Sequence, residues 1–338
     1  MTESVIPIKL DRLSQIDSLK QTNERFYGAL IYLFDDCNMK CQFCAPNAEH
    51  NKHFVHYNKD QVLSYADDIK SILPLFYDPN NIDITIIGGE LFVNKVDWNV
   101  YHQLFDQLNR VTNNRCHIQI ISNFLFDHPE KVLDLIQKYN IKIDLSFDFV
   151  GRYTKQWMIP KVLENVRYLA SHNITVNVIT TMSKPSIDAL INRGENYSAF
   201  ISLYENPMCN IQLGEYIDMT DWLGYPDPFK VTSDDLVRLF KHLIEYYPQI
   251  KDVQQLKTNL TKKRLFEYRC GEIYISKDNI GYCTKDFLQR KQTVISNNNC
   301  FSCNHFKYCS LICYKSGYKF EYCWKKQIYD YLIKLGYG

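Results

Sequence analysis

What this chain has little of narrows it first. It carries almost no net charge: 39 lysines and arginines face 38 aspartates and glutamates in 338 residues, a formal +1. A field that weak draws no polyanion, so nucleic acid is not an expected partner. The short run Lys262-Lys263-Arg264 reads as a solvated helix end, not a phosphate patch. No window approaches the roughly 18 apolar residues of a membrane span, and none is expected to enter one. The opening residues, MTESVIPIKLDRLSQ, hold neither the apolar centre nor the small-residue cleavage site of a secretion leader. There is no internal repeat and no low-complexity tract. The expected location is the cytoplasm.

Cysteine is not scarce. Twelve occur, and a reducing cytosol rarely keeps disulfides, so clustered thiols there point to metal or redox chemistry. A secreted disulfide protein is the competing reading, but it would want a leader. With 46% apolar residues the chain has material for a real core and roughly two domains.

The pattern changes along the chain. Between 28 and 216, short β-rich runs alternate with helical stretches. The strand candidates are GALIYLF (28–34), DITIIGG (83–89), HIQIIS (117–122), IKIDLSF (141–147), ITVNVIT (174–180) and NIQLGEY (210–216). The intervening stretches, KDQVLSYADDIKSILPLF, WNVYHQLFDQLNRV, PEKVLDLIQKYN and IPKVLENVRYLASHN, repeat apolar residues every three or four positions. Two of them place proline in a first helical turn. Such alternation predicts parallel βαβ units, and six strands fall short of the eight of a closed barrel. The fold class is α/β: a partial (β/α)6 TIM-like barrel, with a doubly wound sheet as the alternative.

After about 217 comes a connector containing proline and glycine, DWLGYPDPFKVTSDD, then a helix at about 232–246. A strand-turn-strand, EIYISKDNIGYC (272–283), a cysteine-rich stretch and a terminal helix, KKQIYDYLIKLGYG, follow. The expected units are an extension at 1–27, the partial barrel at 28–231 and a small cysteine-rich region with a terminal helix at 232–338. That last unit has too little regular apolar pattern for an ordinary core.

Cys37, Cys41 and Cys44 follow the first strand in CNMKCQFC, so they sit at its carboxyl end, the face where parallel α/β folds place active sites. Three thiolates on one loop can hold three irons of a cubane and leave the fourth exchangeable. Zinc is the rival metal, but it would want a further His or Cys nearby. His50, His53 and His56 are a weak match.

This stretch resembles the radical S-adenosylmethionine superfamily, whose hallmark is C-x3-C-x2-C after the first strand, with an aromatic residue before the third cysteine, here Phe43. The resemblance implies a 4Fe–4S cluster whose open iron binds the amino and carboxylate groups of S-adenosylmethionine. One-electron reduction from an external donor such as flavodoxin or ferredoxin then splits the sulfonium into methionine and a 5′-deoxyadenosyl radical, able to take hydrogen from unactivated carbon. Gly88, Gly89 and Glu90 match the superfamily's GGE motif, which offers backbone groups to the methionine amino group; Leu91 replaces the usual proline. By the same resemblance Ser122, Asn123, Ser146 and Arg152 hold the cofactor, while Asp148 and Glu215 are acid–base or substrate contacts, with Tyr216 beside them. Each has the alternative of an ordinary loop cap.

Cys300, Cys303, Cys309 and Cys313 form C-x2-C-x5-C-x3-C, preceded by Cys270 and Cys283 and followed by Cys323. This set resembles the SPASM domain of the same superfamily. It implies two auxiliary 4Fe–4S clusters, three clusters in all. Cys300, Cys303, Cys309 and Cys323 would hold one completely. Cys270, Cys283 and Cys313 would hold the other, with a fourth ligand left open. Zinc knuckles are the alternative. The family's usual glycine in the hairpin is displaced: Asp278-Asn279 make the turn and Gly281 lies closer. Ligation would also give this core-poor region its shape. Of the remaining cysteines, Cys116 reads as core packing, and Cys209 as core or as a visitor to the active cavity.

The resemblance implies a peptide or protein substrate, oxidised, crosslinked or epimerised, as in peptide maturases and anaerobic sulfatase maturases. The stretch before the first strand is too short for a leader-recognition domain, so a separate protein would supply it. A small-molecule sugar or alcohol dehydrogenase of the same superfamily is one alternative. A non-catalytic electron-transfer or binding protein is another, but a carrier gains nothing from an exchangeable iron.

Overall fold

A computed structural model describes residues 11–22, 25–44, 54–214, 216, 226–262, 272–282, 300–305, 309 and 322–337. Helix α1 (Arg12–Lys20) comes first. Then β1 (Gly28–Tyr32), α2 (Lys59–Ile72), β2 (Ile82–Ile87), α3 (Trp98–Val111), β3 (Cys116–Ser122), α4 (Pro129–Tyr139), β4 (Lys142–Phe147), α5 (Met158–Ser171) and β5 (Val176–Thr181) alternate. Two short helices, α6 (Lys184–Ile191) and α7 (Tyr197–Tyr204), precede β6 (Cys209–Gly214).

The local causes are ordinary. Asn58 and Asp97 cap α2 and α3 by accepting backbone N–H bonds, at 2.9 and 3.0 Å. Pro129 opens α4, and Asn140 closes it in the left-handed conformation, φ +52°. Along each strand alternate residues share a face. One face carries Ile84, Ile118, Leu145 and Val178, all essentially buried. Each such side chain contributes about 2 kcal/mol on leaving water.

Strands β1 to β6 lie in sequence order and are parallel throughout. All their carboxyl ends therefore point one way, and that end carries the site. The six-stranded partial barrel read from the sequence is present, with strand limits within two residues of the structural ones.

The rest of the chain supplies α8 (Ser233–Tyr246), α9 (Lys251–Lys262), the hairpin β7 (Glu272–Ile275) and β8 (Ile280–Tyr282), and α10 (Trp324–Lys334). The hairpin does more than the sequence suggested. Strand β7 pairs in parallel with β1, Gly28 opposite Glu272 and Ile31 opposite Ile275, so it extends the barrel sheet to eight strands. Both edges are blunted, which guards against edge pairing. Asp252 of α9 accepts the Leu213 N–H of β6 at 2.7 Å, and Gln15 of α1 accepts the Ile280 N–H of β8 at 2.5 Å. Among the described residues no helix is long and apolar enough to cross a membrane.

Candidate functional site

The chain leaving β1, Leu33 to Cys44, crosses the carboxyl end of the sheet. Two buried carboxylates set its path. Asp35 accepts the Val55 N–H at 2.6 Å and the Tyr32 hydroxyl; Asp36 accepts the Tyr57 N–H at 2.7 Å. Neighbouring strand ends then hold it. The Gly89 N–H donates to the Phe34 carbonyl at 2.6 Å and the Glu90 N–H to the Asp36 carbonyl at 2.8 Å. A Cβ at Gly89 would lie 2.2 Å from the Asp36 oxygen and 2.4 Å from that of Asp35. Glycine is needed here for closeness. The amides of Gly89 and Glu90 serve the protein, so these N–H groups are engaged before any ligand arrives.

Glu90 is 1% exposed and its carboxylate is filled. It accepts from Ser122 Oγ at 2.9 Å, the Phe92 N–H at 3.1 Å and the Asn123 N–H at 2.6 Å. Burial pushes its carboxyl up against those three bonds. The motif glutamate thus clamps the end of β2 to the end of β3. Asn123 passes the clamp on: its Nδ2 donates to Asn38 Oδ1 at 2.7 Å and reaches Cys37 Sγ at 3.9 Å. Asn38 in turn donates to the Leu125 carbonyl at 2.8 Å. The turn after β3 holds Phe124 at φ +62°, a conformation costing a bulky residue about 1–3 kcal/mol. Asn165, buried on α5, donates to the carbonyls of Phe124 and Phe126 at 2.8 and 2.9 Å and fixes that turn.

The third anchor is the loop after β4. Gln42, between Cys41 and Phe43, donates its N–H to the Gly151 carbonyl at 2.9 Å. Gly151 sits at φ +83°, and a Cβ there would press on Phe43 and Phe229 at 3.4 Å. Asp148 accepts from Arg152 Nε at 2.6 Å and from the Thr181 N–H at 3.1 Å. The Arg152 guanidinium lies 5.3 Å from the centre of the Phe43 ring. Burial raises the Asp148 carboxyl to about 6 despite that cation.

The three thiols feel one another. Burial, Glu90 and the other two cysteines push Cys37 up to about 12, against the Met39 N–H. Burial raises Cys41 to about 11, with Arg152 opposing and Cys44 adding. Such thiols stay protonated until a cation arrives, which couples binding to proton release. Among the described residues no three His, Cys, Asp or Glu side chains converge to hold a single ion. A cubane takes one thiolate per iron, and this loop carries three thiols in eight residues. The donor set fits the cluster.

Ser146 lies half-buried on β4, and Tyr216 donates to Asp227 Oδ2 at 2.7 Å. Glu215, Cys270, Cys283 and Cys313, like His50 and His53, lie outside the described residues. All nine described cysteines are free thiols. Cys116 and Cys209 begin β3 and β6 and are half-buried, at the strand ends opposite the triad. A visit by Cys209 to the active face is thereby corrected: it stands at the wrong end of its strand.

Four cysteines of the second set are described. Burial lifts Cys309 to about 12, with Lys325 opposing and Cys323, Cys300 and Cys303 adding; burial, Cys323 and Cys303 lift Cys300 to about 11. The resemblance to the SPASM domain implies that these four form one ligand set. Cys323 is the N-cap of α10, where backbone amides and dipole favour an anion. Ser233 of α8 donates to the Tyr322 carbonyl at 2.9 Å, and Trp324 stacks on Phe240 at 4.8 Å. His305 pairs with Asp330 at 2.7 Å.

Residues 28–159 match a family described as a 4Fe-4S single cluster domain. A GTP 3′,8-cyclase of Staphylococcus aureus (strain bovine RF122 / ET3-1) is 23% identical over 219 residues, 63% of this chain and 61% of the relative. The chain thus spans about three fifths of the length of that relative. Among solved structures, native anSMEcpe with bound AdoMet and Kp18Cys peptide superposes with a TM-score of 0.64 at 13% identity, covering 91% of this chain and 98% of that one. Streptococcus suis SuiB bound to precursor peptide SuiA gives 0.56 at 16% identity, covering 90% and 75%. The chain shares an α/β fold with both structures, and the matched family is one described by a single 4Fe-4S cluster. The matched stretch contains the cysteines whose spacing resembles the radical S-adenosylmethionine superfamily.

Proposed function

We propose that this chain is a radical S-adenosylmethionine enzyme of the SPASM type that takes hydrogen from a peptide or protein substrate and leaves it oxidised, crosslinked or epimerised. One observation carries the reading: Cys37, Cys41 and Cys44 occupy a single loop at the carboxyl end of β1, pinned to the ends of β2, β3 and β4. When bound, a 4Fe–4S cluster with one open iron would supply the electron that splits S-adenosylmethionine. The residues around it position and exclude. Glu90, Ser122 and Asn123 hold Cys37; Gly151 and Gln42 hold the turn at Cys41; Phe34, Leu91 and Phe92 are buried beside the motif and exclude water.

Two features support the peptide substrate. The seven-cysteine pattern resembles the SPASM domain, and two neighbours of the same fold were solved with peptides bound. Cys300, Cys303, Cys309 and Cys323 would hold one auxiliary cluster, and Cys270, Cys283 and Cys313 the second. An external one-electron donor and a separate leader-recognition protein would be the partners. A small-molecule substrate is favoured by one observation only, the nucleotide in the name of the curated relatives.

The test is anaerobic reconstitution with iron and sulfide, then dithionite and S-adenosylmethionine, assayed for 5′-deoxyadenosine. The protein should form it, and Cys41→Ala should not. Equal yields from both would end the enzyme reading. Peptides encoded beside this gene, screened for loss of one or two hydrogens by mass, would separate the peptide from the small-molecule reading.

A further inference from the structure

We infer that the buried Asp148–Arg152 pair sets the reduction potential of the cluster held by Cys37, Cys41 and Cys44, with Arg152 as the positioning and charge-bearing residue; this rests on the function proposed above. The resemblance assigns Arg152 to the cofactor. The geometry gives it a different task. Its Nε is bonded to Asp148 at 2.6 Å, its guanidinium faces the Phe43 ring at 5.3 Å, and the preceding Gly151 carbonyl takes the Gln42 N–H at 2.9 Å. The cation is thus tied to the turn Cys41-Gln42-Phe43-Cys44 from two sides, with only 12% of its side chain exposed. Among the described residues its one ion pair is with Asp148.

The triad sits in a lopsided field. Glu90 acts on Cys37 and Arg152 on Cys41. Both are buried, where charges are poorly screened and act more strongly than in water. Reduction adds one negative charge to a cluster already bearing three thiolates. A fixed cation beside it stabilises the reduced state and raises the potential; a fixed anion lowers it. Arg152 therefore eases electron entry, and Asp148 tempers that effect while holding the guanidinium in place.

The experiment is a redox titration of the reconstituted full chain, following the reduced-cluster signal that changes when S-adenosylmethionine is added, since an open iron alone responds in that way. Arg152→Gln should move the midpoint to more negative values and Asp148→Asn to less negative ones. Arg152→Lys, keeping the charge, should stay nearer the native protein than Arg152→Gln does. Iron per chain is measured alongside. The inference is overturned if Arg152→Gln titrates with the native protein, or if Arg152→Lys shifts as far as Arg152→Gln, which would make the residue a packing element. Should Arg152→Gln fail to fold, Asp148→Asn decides alone: an unchanged or more negative midpoint overturns the inference. Failure of the proposed function reads differently, as absence of 5′-deoxyadenosine whatever the midpoints.

Discussion

The two cysteine constellations reach their positions by different means. At the barrel end the triad rides on strand ends fixed by a large apolar core, and its loop is tied down by hydrogen bonds from or to Asp35, Asp36, Glu90, Asn123 and Gly151. In the carboxyl-terminal region the described cysteines lean on a helix pair, α8 and α10, through Ser233, Phe240 and the His305–Asp330 contact. The first site is built by the fold. The second is held at its flanks, and cluster ligation would supply folding free energy there.

Four changes would break or sharpen that contrast. Gly89→Ala should have the largest effect, because its Cβ would fall against two backbone carbonyls that have no room to yield. A destabilisation of about 3 kcal/mol or more is expected, seen as lost soluble protein or a steep drop in Tm; a native Tm would show the close approach to be dispensable. Next, stripping the iron from holoprotein should leave the far-ultraviolet circular dichroism of the barrel nearly intact while proteolysis within 263–321 accelerates. Equal acceleration of cleavage in both regions would erase the distinction drawn here.

Third, Asp148 titrates near 6 in the folded chain, above its ordinary 3.8. A carboxyl raised in this way adds stability that is complete below about pH 4 and is lost as pH climbs through 6, up to about 3 kcal/mol. Asp148→Asn should therefore gain less than the native protein on acidification from pH 6 to pH 4, read by urea unfolding at each pH. Parallel curves would contradict it. Fourth, Glu90→Gln sets an amide against one of three inward donors, at a cost of about 2 kcal/mol. Thermal unfolding should fall by about 3 °C, with Asn123 released from Cys37.

Much of this was legible in the residues. Six strands announced themselves because each is a short apolar or alternating run, most of them separated by helix-periodic sequence, and Cys37, Cys41 and Cys44 because their spacing carries the chemistry. What stayed hidden was whatever depends on distant partners. Asp35 and Asp36 look like surface charge until Val55 and Tyr57 are seen to donate to them. Asn165 looks like a polar spot in an amphipathic helix until it meets the turn at Phe124. Gly151 and Gln42, and the filling of the Glu90 carboxylate by β3, have no local signature either. The short helices α6 and α7 were missed because eight residues give the helical period little room. The pairing of β7 with β1 joins segments far apart in sequence, and a four-residue strand says nothing of its neighbour.

That last pairing has a consequence for how the molecule is made. Strand β1 leaves the ribosome well before the neighbour that covers its outer edge, Glu272–Ile275. At usual synthesis speeds this delay is on the order of ten to fifty seconds. For that interval the strand bearing the triad offers a bare row of amides and carbonyls, on a nascent chain whose thiols are already outside. Completion of the sheet thus waits on the hairpin, the late-arriving seal of that edge.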